Sequence, residues 1–278
     1  MQVGFLGFGE VASTISEGLM ENGVDVYTCV LGRSTRTKKL AENTSVKFYN
    51  SYHDLAQNSE ILISSVVPSN AVEVAKMVGK YSKGIFVDMN NVSPKTVIQT
   101  LGMIENGKTV DAAIIGSVIR MGLNVKVIAS GPFADDFAGL KNFGMNISVV
   151  GPENGQASEI KLLRSAYTKG VSALLFESIQ YGYKMGIDKE VLKYISETEG
   201  NDFIDSAVSR ITSAAFHADR RSEEMKEVVE MLSEKHDPIM AKATEEFFKK
   251  LSKSIKNPNK KPCNYLELFK LFNNDKDL

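Results

Sequence analysis

Apolar and polar residues along the first half of the chain alternate between two rhythms. Short β-branched runs at residues 3–6, 24–31, 46–49, 61–67, 85–88 and 110–115 are separated by stretches such as 12–22 and 71–81, whose apolar residues recur every three to four positions. Runs of that length fit strands buried on both faces, and the intervening spacing fits amphipathic helices, so the pattern predicts βαβ units around a parallel sheet. Gly23 and Ser82-Lys83-Gly84 supply helix stops. Two further runs, 125–129 and 147–150, extend the sheet before Gly151-Pro152 breaks the rhythm. Beyond Pro152 the strand signals cease, and helical spacing takes over at 156–185, 189–196, 202–215 and 222–235. The expectation is an α/β protein: a mostly parallel sheet domain over residues 1–152 and an all-helical domain over 153–278. The stretch 255–262, with Pro258, Pro262 and its lysines, reads as a solvated tail, and 265–272 as one docked amphipathic helix.

Composition narrows the class. A chain of 278 residues suits two domains better than one core. With 43% hydrophobic and 24% charged residues it is neither disordered nor fibrous. The net charge of -1 argues against a nucleic-acid partner. Only Cys29 and Cys263 occur, with Cys29 inside an apolar run, which points away from a disulfide framework and towards a reducing compartment. The opening Met1-Gln2-Val3-Gly4 lacks the basic start of a signal peptide, and no later apolar run approaches the ~20 residues that cross a bilayer. A cytoplasmic protein without membrane partners or a metal site is expected.

The first strand runs into Gly7-Phe8-Gly9-Glu10-Val11-Ala12, after which a helical pattern begins. A G-x-G-x-x-A turn placed between strand and helix has the form of a dinucleotide site: Gly7 makes the tight turn, Gly9 lets a pyrophosphate approach the backbone, and Ala12 lets helix pack on strand. A purely structural turn and an adenosyl-methionine site are the alternatives. At the end of the second strand an Asp or Glu marks NAD and an Arg marks NADP. From Val26 to Ala41 no acidic residue occurs, and Gly32-Arg33-Ser34-Thr35-Arg36-Thr37-Lys38-Lys39 offers four cations and three hydroxyls. NADP is therefore the expected cofactor, with Arg33 and Ser34 as leading contacts and Thr35 beside them; the alternative is a solvated helix start. Arg36, Lys38 and Lys39 read as surface charges.

Further motifs follow in order. Val66-Val67-Pro68 follows the fourth strand, Asp88-Met89-Asn90-Asn91-Val92-Ser93-Pro94 the fifth, and Asp111-Ala112-Ala113-Ile114-Ile115-Gly116-Ser117 and Gly155-Gln156-Ala157-Ser158-Glu159-Ile160-Lys161 come after. Together with the opening turn they resemble the β-hydroxyacid dehydrogenase and 6-phosphogluconate dehydrogenase superfamily. The runs 165–175, 199–202 and 217–221 resemble a partly archaeal NADP-binding branch of it. The resemblance implies a Rossmann-type domain followed by a helical substrate and dimerisation domain, and cofactor contacts from Val67, Pro68 and Asn91. It also implies a small hydroxy or oxo acid in an interdomain cleft, with Lys161 as general acid and base.

On a helix beginning near Gln156, Lys161, Arg164, Ser165 and Thr168 fall on one polar stripe, beside an apolar stripe of Ile160, Leu163, Tyr167, Val171 and Leu174 that should pack. Where the superfamily has a substrate-loop serine this chain has Ile115, and where an asparagine follows the lysine it has Arg164 and Ser165. Ser117 is then the candidate hydroxyl, and Arg164 the candidate partner for a substrate anion. His217, Arg220 and Arg221 either complete an anion pocket in a folded dimer or are surface charges paired with Glu223 or Glu224. Gly200-Asn201-Asp202 reads either as site residues or as a helix cap. A non-catalytic NADP sensor and an NADP-dependent imine or deazaflavin reductase are the rival functions.

Overall fold

The structure, a computed structural model, describes residues 1–200, 202–254 and 262–271. Asn201, most of the 255–262 tail and Phe272 lie outside the described residues. All eight apolar runs form strands: β1 (Gln2–Leu6), β2 (Asp25–Thr28), β3 (Lys47–Phe48), β4 (Ile61–Ser64), β5 (Ile85–Asp88), β6 (Thr109–Ile115), β7 (Lys126–Ser130) and β8 (Asn146–Gly151). They make one sheet in the order β3-β2-β1-β4-β5-β6-β7-β8. Every pairing is parallel except β6 with β7, so the last two strands run against the first six.

Three strands are shorter than their apolar runs, β3 by one residue at each end. β2 stops at Thr28 and β4 at Ser64, because the chain leaves the sheet at its carboxyl edge while still apolar: Leu31 and Val67 are more than half exposed. Apolar character alone does not mark where ladder pairing ends.

Alternation along the strands feeds two cores. Val3, Phe5, Ile61, Ile63 and Val87 point to the face covered by α1 (Glu10–Glu21), through Ala12, Ile15 and Leu19. Leu6, Leu62 and Phe86 point to the other face, covered by α3 (Tyr52–Asn58), α4 (Ala71–Val78) and α5 (Pro94–Leu101). In the chain α2 (Thr35–Asn43) follows β2, and its Ala41 joins the α1 side; α6 (Val118–Met121) and α7 (Ala134–Phe137) are single turns. The strand order reverses between β1 and β4, which places the crevice of this doubly wound sheet at their carboxyl ends.

Residues Met1–Lys161 form one compact unit, and a second runs from Leu162 onward. The long helix α8 (Gln156–Met185) begins in the first and continues into the second. The second unit adds α9 (Asp188–Glu199), α10 (Phe203–Phe216), α11 (Ala218–Ser233), α12 (Ile239–Ser254) and α13 (Tyr265–Lys270). Its core joins Phe176 and Ile179 of α8, Ile211 of α10, Met225 and Val228 of α11, Phe248 of α12 and Phe269 of α13. Tyr265 Oη donates 2.6 Å to the buried Asp188 carboxylate and ties the last helix to α9.

The apolar stripe of α8 departs from expectation. Ile160, Leu163, Tyr167 and Leu174 are exposed among the described residues, the last three by more than half. Spacing reveals a stripe but not what covers it.

Candidate functional site

The glycine turn sits at the crevice. Gly7 has φ +81, and a Cβ there would lie 2.6 Å from the Ser65 carbonyl oxygen and 2.7 Å from Val66, so both its conformation and its neighbours demand glycine. Gly9 differs: a Cβ would meet nothing within 4 Å, and its φ of -99 is open to any residue. Among the described residues nothing requires the absence of a side chain there. Gly9 caps α1 with no side-chain hydrogen bond, and the N–H groups of a helix's first turn have no partner within the helix. Ala12 is fully buried against the sheet. Phe8, in contrast, puts its ring into the core, edge-on to Phe5 at 6.4 Å, leaving only its backbone for a ligand.

At the end of β2, Gly32 turns at φ +69 and presents Arg33. Arg33 Nε donates 2.7 Å to Tyr52 Oη, which donates 2.9 Å to the Leu31 carbonyl, and the guanidinium stands 5.3 Å above the Tyr52 ring. Tyr52 thus fixes Arg33 while using one of its five N–H donors. Burial pushes the Tyr52 phenol up. Ser34 caps α2, its Oγ accepting from Thr37 N at 3.3 Å, and Thr35 opens the helix. The first turn of α2 holds no acidic residue. Arg36 pairs with Glu10 at 3.1 Å, so the surface reading of Arg36 holds.

The loops after β4 and β5 border the same edge. Val67 and Pro68 are exposed, and Asn91 is exposed beside the buried Asn90. Asn90 Oδ1 accepts from Val66 N at 2.7 Å, its Nδ2 donates 3.0 Å to Ser64 Oγ, and its own N–H donates 2.9 Å to Asp88. Asp88 also accepts from Thr100 Oγ1 at 2.6 Å. Asn90, not Asn91, locks the two loops together, and the sequence offered no means of choosing between adjacent asparagines.

Asp111 takes a role that the substrate-loop reading did not foresee. Fully buried on β6, it accepts from Ser158 N at 2.9 Å and Ser158 Oγ at 2.7 Å, while Ser130 Oγ accepts from Ala157 N at 3.0 Å. These bonds pin the first turn of α8, and Lys161 lies one turn further on, half-buried. Ser117 follows β6 at the exposed Gly116 turn, half-buried, and its side chain makes no cap to α6. Arg164 is exposed on α8. Arg220 takes the duller reading in part, pairing with Glu224 at 3.5 Å.

Burial raises the Asp111 pKa against the hydrogen bonds that lower it. A carboxyl raised in the folded state contributes its stability below the unfolded pKa, near 3.9, and loses it as pH rises through the folded value. Asp111→Asn should therefore cost more at about pH 4 than at about pH 7, on a base of ~1–3 kcal/mol for disturbed buried hydrogen bonds. Urea unfolding at both pH values checks the sign.

A surface cavity of about 440 Å³, lined by Asn58, Glu60, Lys83 and Lys108 among others, lies by the amino ends of β4 and β5. It is on the edge opposite the glycine turn and holds none of the expected site residues. No helix among the described residues is long and apolar enough to cross a membrane.

An open α/β sheet with a glycine turn at its reversal point, followed by helices, defines the class: the mostly parallel dinucleotide-binding domain of a dehydrogenase-like fold. The chain belongs to a partly archaeal family within the 3-hydroxyacid dehydrogenase-like proteins. It is 46% identical to the "Uncharacterized 28.5 kDa protein in 7S RNA 5'region" of Methanothermus fervidus, over 90% of this chain and 98% of that one. It is likewise 46% identical to the solved conserved protein MTH1747, described as structurally similar to 3-hydroxyacid dehydrogenases, with a TM-score of 0.84 over 91% and 97% of the two chains. The 3-hydroxyisobutyrate dehydrogenase of Mycobacterium tuberculosis shares the fold at 14% identity, with a TM-score of 0.76 over 91% and 94%. Residues 2–92 match the family model "NADP oxidoreductase coenzyme F420-dependent", and residues 183–251 match a domain of unknown function, DUF1932. These similarities support an NAD(P)-dependent oxidoreductase.

Proposed function

We propose that the protein is an NADP-dependent oxidoreductase of a small anionic hydroxy or oxo acid, with Lys161 as its general acid and base. The observation that carries the cofactor half is the pairing of the open Gly9 cradle with a buttressed Arg33 at an acid-free helix start. The first-turn N–H groups of Glu10, Val11 and Ala12 would hold the pyrophosphate. Arg33, with the backbone N–H groups of Ser34 and Thr35, would hold the 2′-phosphate, since the Ser34 hydroxyl is already engaged as a cap. Val67, Pro68 and Asn91 would border the rest of the dinucleotide. When bound, NADP supplies a nicotinamide carbon that gives or takes hydride.

The remaining chemistry belongs to the chain. Lys161 Nζ would give a proton to the carbonyl oxygen in reduction and take it from the hydroxyl in oxidation. The Ser117 hydroxyl would orient that oxygen, and Arg164 would pair with the substrate's carboxylate. The match of residues 2–92 to a coenzyme F420-dependent model favours one rival, a deazaflavin reductase, which has no use for Lys161. The exposed apolar side chains Leu163, Tyr167, Leu174, Tyr181 and Met185 on α8 support a second copy covering them. Light scattering should give a dimer mass, with Tyr167→Glu shifting it towards the monomer.

The cofactor assignment is tested by Arg33→Ala. Loss of a charge-assisted contact should weaken NADP by ~10- to 100-fold and leave NAD affinity unchanged, as read by calorimetry. Equal loss for both dinucleotides, or for neither, would sink the choice of NADP.

A further inference from the structure

The helical unit buries a charged cluster that the proposed activity does not use. Lys169 on α8 is 8% exposed; its ammonium touches Ser165 Oγ one turn earlier and lies 2.7 Å from Glu224 on α11. Glu224 also holds Arg220 at 3.5 Å. The neighbouring Arg221 stands 5.5 Å over the Phe248 ring of α12, and its buried Nη1 has no hydrogen-bond partner among the described residues. Desolvation pushes Arg221 down to about 10, and it pushes Lys169 below the usual lysine range in spite of Glu224.

Among the described residues, Lys169, Arg220 and Arg221 gather around the Glu224 carboxylate. A structural ion pair between α8 and α11 needs only Lys169 and Glu224; the two guanidinium groups beside it add repulsion among the cations. Buried donors are normally satisfied, so an orphaned guanidinium N–H in such a cluster marks the position of an acceptor brought from outside. The side chain of Arg220 is 66% exposed, so the cluster meets solvent at that residue.

We propose that Ser165, Lys169, Arg220 and Arg221 form a binding site for a doubly charged oxyanion of the phosphate monoester class. The excess of two positive charges matches a dianion, and a guanidinium fork, an ammonium and a hydroxyl together supply donors to its several oxygens. Without the anion, Glu224 holds Lys169 and Arg220 in position. The site lies wholly in the helical unit and stands whether or not Lys161 transfers a proton.

The test uses the full chain saturated with NADP, so that the nucleotide crevice cannot take the probe, and titrates inorganic phosphate and acetate by calorimetry. One phosphate per chain should bind, and acetate should not. Arg221→Met keeps an apolar stem over Phe248 and removes the fork; it should weaken phosphate by ~10-fold or more, with Arg221→Lys recovering part. Circular dichroism checks that the variant folds. If it does not, Arg220→Ala, at an exposed side chain, should still weaken phosphate by ~threefold. The site is refuted by no phosphate binding to the saturated wild type, by acetate binding as tightly, or by unchanged affinity in the folded variants.

Discussion

Lys161→Ala is expected to lower turnover by ~100- to 10,000-fold while leaving NADP affinity unchanged, the range in which a positioned proton donor contributes. The expectation follows from how α8 begins. Asp111 and Ser130, on adjacent strands of the sheet, bind the Ser158 and Ala157 N–H groups, so the first turn of α8 is held by buried bonds rather than left to fray. A lysine one turn on is carried by a rigid backbone, and substitution at a half-buried position leaves those bonds intact. The measurement is NADP reduction with hydroxy acids found by screening, alongside calorimetric NADP binding. Each rival makes its own mark. A sensor binds NADP and turns over nothing even as wild type. A deazaflavin reductase keeps its rate in Lys161→Ala. Either outcome would remove the hydroxyacid mechanism.

What could be read from the chain was what is coded locally. The β1 turn into α1 is announced by adjacent residues, and the strands by runs of a few apolar positions, so the sheet, its crevice and the helical second half were all legible. What escaped depends on residues far apart in sequence. Tyr52 lies 19 residues from the Arg33 it orients, and Ser158 lies 47 from the Asp111 that anchors it. The antiparallel turn between β6 and β7 is likewise a tertiary choice, because a buried strand reads the same in either direction. Lys169 carries no local signal either, since its burial and its pairing with Glu224 on another helix are tertiary. Phe8, inside the glycine motif, turns its ring into the core, which its place in the motif does not reveal.

The two motif glycines should respond to alanine in opposite ways, and the contrast separates folding from binding. Gly7→Ala forces φ +81 on an L-residue, at ~1–2 kcal/mol, and drives a Cβ to within 2.6 Å of a backbone oxygen that cannot swing aside. Relief requires the β1 and β4 loops to part, adding ~1–3 kcal/mol of overpacking strain. The variant should lose a large fraction of its stability and, with it, dinucleotide binding. Gly9→Ala meets no atom within 4 Å and keeps an allowed backbone, so denaturation should shift by no more than about 1 kcal/mol, the scale of a weakened helix cap. Its added methyl nevertheless occupies the open side of the turn, where a pyrophosphate must approach the backbone, and NADP affinity should fall by ~100-fold, as if two to three kcal/mol of phosphate contacts were lost. Calorimetry and urea unfolding on the same two variants decide the matter. Full NADP affinity in a stable Gly9→Ala would mean that no phosphate approaches this turn, and the assignment of a dinucleotide to the crevice would fail.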